Sequence, residues 1–250
     1  MIAFRTLWAA CVDIFEELFL VFAANALWCA VAIPLPYLVV VFAQRELYLG
    51  MVVCALLAPL PFALASGGLT PLARRFVDGK ATPWRELLSG VRVNMGQRVK
   101  VMYVWAGVFY TCLVNIWFYA NQPDFAYAYF VAFFFVDVAL LWLTLLAFLL
   151  PVHEILGTAP LGKIFRTALG LMFSVAGAAL VILVIGSALF VFSTLVYIVM
   201  IFFFGMFLAL WGTRTTDVAI ARLQDSIAAE AQKADEESGE RRPAGQVRPK

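Results

Sequence analysis

TALGLMFSVAGAALVILVIGSALFVFSTLVYIVMIFFFGMFLALWG, running from Thr167 to Gly212, contains no charged residue. At about 1.5 Å of helix rise per residue the run extends about 65 Å, twice the ~30 Å thickness of a bilayer's hydrocarbon core. It therefore crosses a membrane twice, which predicts spans at 167–188 and 192–212 with a tight hairpin between Gly186 and Thr194. No Pro or Asn pins that hairpin.

The rest of the chain has the same character. Of its 250 residues 64% are hydrophobic and 14% charged, with a mean hydropathy of +0.92, whereas soluble domains average about 45–50% apolar and about 25% charged. A soluble core has no room for so much apolar surface. The formal net charge of +2 is too small to argue for nucleic acid, and no nucleic-acid partner is expected. Cys11, Cys29, Cys54 and Cys112 are far apart and form no CxxC pair, so they read as small apolar fillers, neither a zinc site nor a disulfide framework.

Upstream, the positions Phe4, Leu7, Trp8, Cys11, Phe15 and Leu18 recur at helical spacing, with Arg5, Asp13, Glu16 and Glu17 on other faces. Residues 1–17 are thus predicted to form an amphipathic helix along the membrane surface. Span one follows at 18–43, with Pro34 and Pro36 predicting a kink in its second half, and span two at 47–73, interrupted by Pro59, Pro61, Gly67, Gly68 and Pro71. Such breaks either mark a transport site or reflect the ordinary frequency of Pro and Gly in membrane helices.

The loop 74–100 is the one sizeable polar segment between spans. Thr82 and Pro83 resemble an N-cap followed by proline at the first helical position, so a short cytoplasmic helix is expected there. Its stripe would be Leu87, Leu88, Val91 and Met95, with Arg85, Arg92 and Arg98 toward lipid phosphates. Spans three (101–120) and four (125–150) are joined by a tight turn at Asn121, Gln122, Pro123 and Asp124. Trp117, Tyr119, Phe125, Tyr127 and Tyr129 crowd it as an interfacial belt would. A polar helix at 213–232 and a disordered tail at 233–250 complete the chain.

The fold class predicted is all-α: a polytopic membrane helical bundle of six transmembrane helices occupying 18–212. Lys and Arg favour the cytoplasmic side. With six spans across the inner (plasma) membrane and both termini cytoplasmic, the inner segments hold Arg5, the cluster Arg74, Arg75, Lys80, Arg85, Arg92, Arg98 and Lys100, then Lys163, Arg166 and the basic C-terminal segment. Arg45 alone is outside. Five spans would put the basic tail opposite the basic loop.

Asp137 sits in the middle of span four, where an ionised carboxylate costs at least about 2.5–3.5 kcal/mol. It reads either as a proton or cation site or as a protonated acid bonded to a neighbouring helix through Asn25 or Asn115. His153 and Glu154 read as an interfacial pair, since no second His exists for HExxH metal ligation. No GxSxG, Walker or dinucleotide fingerprint occurs in a strand-turn-helix setting; no enzyme activity, catalytic residue, metal or cofactor is expected. The basic candidates Arg74, Arg75, Arg85, Arg92, Arg98 and Lys100 either bind lipid headgroups or a cytoplasmic partner, or only enforce topology. Small residues at Gly170, Ser174 and Ala178, and at Gly205 and Ala209, suit close helix approach in a packed bundle or a dimer.

Phe22, Asn25, Leu27, Trp28 and Pro34 resemble the NLLW…LP signature of the YesL-like family of bacterial membrane proteins. The stretch Ala65 to Lys80, ASGGLTPLARRFVDGK, is similar to its PATAGLxxxARRLxRGE segment, followed here by Trp84, Arg85, Glu86 and Leu87 in place of W-R-D-F. Pro151 to Glu154 and Phe165 to Leu169 also fit the pattern after span four. One departure is Tyr37 to Pro61, which supplies an additional hydrophobic crossing. The resemblance implies no catalytic residue, and an auxiliary role beside carbohydrate uptake systems. The functional expectation is a non-enzymatic accessory or regulatory component whose partners are the lipid bilayer and a membrane transport complex or copies of itself. The alternative is a small stand-alone transporter or channel using Asp137.

Overall fold

The computed structural model describes residues 2–80, 85–122, 127–196 and 203–240. Eleven α-helices and no strand are present among them: α1 Ile2–Glu16, α2 Leu18–Ala32, α3 Pro34–Gln44, α4 Tyr48–Leu57, α5 Pro59–Val77, α6 Arg85–Arg92, α7 Met95–Ala120, α8 Ala128–Leu156, α9 Leu161–Ser174, α10 Ala176–Leu195 and α11 Gly205–Glu240. Tyr48–Val77 (α4 and α5 together), α7 and α8 are long and apolar enough to cross a membrane. The number rises to as many as five if the bent pairs α2–α3 and α9–α10 each count as one span. Several apolar helices of membrane-spanning length make this a membrane protein by construction.

Each break has a local cause. Pro34 opens α3 and has no N–H to give back to the preceding turn, and α2 and α3 meet at 41° there, as Pro34 predicted. The connection from α3 to α4 is closed by the Leu47 N–H donating to the Phe42 carbonyl at 2.9 Å. Glu46 takes the left-handed conformation, φ 59°, that usually falls to Gly after a helix. Phe42 then packs on Gly50, where a Cβ would stand 3.0 Å from the ring. The α3–α4 hairpin, which contains most of the Tyr37 to Pro61 departure, turns Tyr37, Val40, Leu49 and Leu56 outward and buries no residue of α3.

The bundle proper consists of α2, α5, α7, α8 and α11. Helix α5 packs on α2, α7 and α11, while α8 packs on α7 and α11. Its centre holds Met102, Leu145, Phe148, Leu149, Leu210 and Trp211, all essentially without exposure. Glycines set the closest approaches. Gly205 faces Asn25 and the Trp28 ring, and Gly212 faces the Ala147 carbonyl, where a Cβ would collide with backbone. Small residues thus serve packing within the bundle at Gly205, whereas Gly170 faces open space.

Three boundaries differ from expectation. The hairpin placed between Gly186 and Thr194 falls inside the continuous helix α10; glycine in an apolar helix need not break it, and Gly186 instead packs toward Leu208 of α11. The segment from Thr167 to Ser174 belongs to α9, which leaves α10 at 94°. It buries Ile164, Ala168, Leu171 and Met172, spaced as one helical stripe, with Lys163 and Arg166 exposed, so it is amphipathic. Finally, 233–240 continue α11, because Ala228, Ala229, Ala231 and Gln232 lead into them with high helix propensity. Residues 241–250 of the expected tail, the Thr82 and Pro83 cap, and Pro123 and Asp124 of the tight turn lie outside the described residues. Asn121 does close α7; Trp117, Tyr127 and Tyr129 are exposed and Tyr119 is half-buried.

Candidate functional site

The basic loop is folded against the bundle. Gly67 of α5 and Gly90 of α6 bring these helices so close that a Cβ on Gly90 would stand 2.9 Å from the Gly67 carbonyl and 3.1 Å from the Pro71 ring. Asn94, at φ 51°, then breaks the chain between α6 and α7. The expected stripe from Leu87 to Met95 is therefore split between two helices, and Arg98 belongs to the second.

That break turns Arg98 inward. Its guanidinium is 2% exposed and donates to Glu154 Oε2 at 3.2 Å and to the Gly90 carbonyl at 3.4 Å. A side chain at Gly67 would strike it. One buried cation thus ties α6, α7 and α8 together, since breaking such a pair strands a charge away from water. Arg98 is consequently not a headgroup or partner contact. The neighbouring Gln97 donates to the Ala159 carbonyl at 2.8 Å, holding the α8–α9 turn, where Gly157 adopts φ 57°.

Of the other basic candidates, Arg74 is ion-paired with Asp217 of α11 and lies 3.6 Å from Asp78. Lys80 donates to Asp78 at 2.9 Å, and this bond leads the causes holding the Asp78 carboxyl below its ordinary range. Arg75 is half-buried and also engaged. Arg92 and Lys100 are exposed, beside exposed Val93 and Met95. The Arg85 side chain lies outside the described residues. His153 and Glu154 do not act as a pair: Glu154 accepts from Arg98, while His153 is 1% exposed and its Nε2 has no hydrogen-bond partner among the described residues.

Helix α1 adds a second clamp at the same end. Asp13 accepts two bonds from Arg214 of α11, both at 2.6 Å, and these hold the Arg214 guanidinium above its already high ordinary pKa. The Trp211 indole donates to the Thr6 hydroxyl at 3.1 Å, and Thr215 donates to it at 3.3 Å. The buried face of α1 is therefore Ala3, Thr6, Ala10 and Asp13, while Phe4, Trp8 and Phe15 point away at 65–77% exposure. The aromatic side chains Phe4, Trp8 and Phe15 thus lie on the side of α1 turned away from the bundle. This docking face is small and polar, so no hydrophobic stripe marks it in the sequence, although its residues recur at spacings of three and four.

The intramembrane polar candidates are not brought together. Asn25 is fully buried and its Oδ1 accepts the Met206 N–H at 2.9 Å, satisfying an orphan donor in the first turn of α11. Asn115 donates to the Thr111 carbonyl within its own helix at 2.8 Å. Asp137 is exposed on the outside of α8, with no bond to either Asn. The four cysteines form no disulfide among the described residues, and no group of three or more metal-ligating side chains gathers among the described residues. No protein-family model, curated protein or solved structure matches the chain.

Proposed function

We propose that this chain is a non-enzymatic accessory or regulatory component of a membrane transport complex, docking through its cytoplasmic face. The observation that carries the reading is the Arg98–Glu154 brace. It fixes the α6–α7 corner on the bundle, where Arg92, Val93 and Met95 are exposed together, with Lys100 exposed further along α7. Mixed basic and apolar groups on a rigid element suit recognition of an acidic partner better than a mobile loop does, because less ordering entropy opposes binding.

In this reading the chain has six spans. They are α2–α3, α4–α5, α7, α8, α10 and the first part of α11, with both termini at the cytoplasmic face of the inner (plasma) membrane. The clamping of α1 onto α11 beside Arg214 and the basic loop supports a common side for the two ends, and the basic bias supports the inside. The resemblance to the YesL-like family, in Asn25, Trp28, Gly67 and Arg74 among others, adds an auxiliary link to carbohydrate uptake.

The stand-alone transporter finds less support. Asp137 lies on the outer surface of α8, and none of the described residues around the cavity between α8 and α10 is charged. The deciding experiment is gentle extraction from native membranes with mass spectrometry of co-purifying proteins. A stoichiometric partner lost on Arg92→Glu with Lys100→Glu supports the accessory reading; solute transport by the purified protein alone refutes it.

A further inference from the structure

A cleft of about 460 Å³ lies between α8 and α10, floored by α2, α5, α7 and α11. That is within the range of about 300–1,000 Å³ typical of small-molecule sites. One wall is aromatic and fixed. Phe62 meets Trp28 edge-on at 5.7 Å and stacks on Trp105 at 6.5 Å. The Trp105 indole N–H donates to the Trp142 carbonyl at 3.0 Å, and the Trp142 indole returns the bond at 2.8 Å. These reciprocal bonds keep the wall from collapsing into the space.

The opposite wall is aliphatic, with Leu143 from α8 and Leu183 and Val191 from α10. Among the described residues no charged side chain lines the cleft. Its threonine hydroxyls are already engaged: Thr70 donates to the Ser66 carbonyl at 2.9 Å and Thr144 to the Leu140 carbonyl at 3.0 Å. The Ser66 and Ser187 hydroxyls also line the cleft, too few polar groups to replace the water shell of an ion or a polar solute. The cleft is partly open and is built in part from α7, α8 and the α4–α5 pair, each of membrane-spanning length. Leu180 and Val184 beside it on α10 face outward at 63% and 59% exposure. The medium at its mouth is therefore hydrocarbon. An empty cleft would leave its walls without dispersion partners on one side.

We propose that the cleft is a binding site for one acyl chain of a phospholipid from the surrounding bilayer. The chain enters between α8 and α10 and lies against the Trp28, Phe62 and Trp105 wall, while the headgroup stays outside.

The test uses the full chain in nanodiscs containing phospholipid with a photoactivatable diazirine in one acyl chain, with adducts mapped by peptide mass spectrometry. Expected adducts fall on 140–147 and 182–191, and weaken about tenfold or more when a side chain blocks the fit. Gly186→Phe supplies the block, since a Cβ there has only Leu208 at 3.7 Å as a neighbour. Leu143→Trp blocks from the α8 side of the mouth and provides a second variant if the first misfolds. Labelling of exposed Phe130 and Phe133 should persist in both. Adducts confined to those outer positions, or cleft labelling unchanged in both variants, would overturn the proposal. So would labelling by a photoactivatable free fatty acid with none by the phospholipid.

Discussion

Arg98 on α7 and Glu154 on α8 meet at 3.2 Å with the guanidinium 2% exposed, although 56 residues separate them in the chain. The pair lies where α5 and α6 cross, so it sets the position of the whole basic corner. Removing either partner leaves the other charge stranded. Glu154→Ala strands the more deeply buried group and should destabilise by about 3–5 kcal/mol; Arg98→Ala should cost about 2–3 kcal/mol, because Glu154 retains some water. The double variant Arg98→Met, Glu154→Met should lose less than the two single losses added together. Thermal unfolding in a single detergent checks all three.

Asn25 should be as unforgiving as its burial suggests. Asn25→Leu deletes the acceptor of the Met206 N–H and leaves that donor without a partner, at about 1–3 kcal/mol. Hydrogen exchange at the start of α11 should rise more than elsewhere. Uniform exchange across the bundle would show that Asn25 is not a local cap.

The clamp between α1 and α11 predicts local release. Asp13→Ala removes both bonds to Arg214, about 1.5–3 kcal/mol for bonds to a charged group. Exchange in α1 should increase while α7 and α8 stay protected. Because the Arg214 pKa is raised in the fold, the stability it contributes is fully present below the unfolded value and is lost only as pH rises through the folded one. Docking of α1 should therefore hold through neutral and mildly alkaline pH.

Asp137 gives the prediction that separates the two functional readings. It is exposed on α8 without a protein partner among the described residues. Asp137→Leu should be neutral or stabilising in a bilayer, since an ionised carboxylate at mid-membrane costs at least about 2.5–3.5 kcal/mol. Intact complex formation by this variant fits the accessory reading. Solute flux that vanishes in Asp137→Asn while the fold survives would revive the transporter.

The features legible beforehand are those written in local patterns. Uncharged runs gave the apolar helices, Pro34 gave the 41° bend, and the spacing of Phe4, Trp8 and Phe15 gave the outer face of α1. In the sequence Arg98 resembles its exposed neighbours in a polar loop; only the left-handed Asn94 and the distant Glu154 turn it inward. Gly186 suggested a turn, yet within an apolar helix a glycine can equally be a packing surface, and it lies against Leu208. Asp137 drew attention by its depth in the chain, whereas its orientation depends on which face of α8 meets α7 and α11. The Trp105–Trp142 exchange joins two helices through backbone carbonyls, which carry no sequence signal at all.

The most direct test of the central claim is stoichiometric mass spectrometry of the complex gently extracted from native membranes, comparing the natural chain with Arg92→Glu, Lys100→Glu. The account predicts a reproducible protein partner at fixed stoichiometry that disappears in the variant while the bundle's thermal midpoint is unchanged. A homo-oligomer alone in both samples, with solute flux when reconstituted by itself, would contradict it.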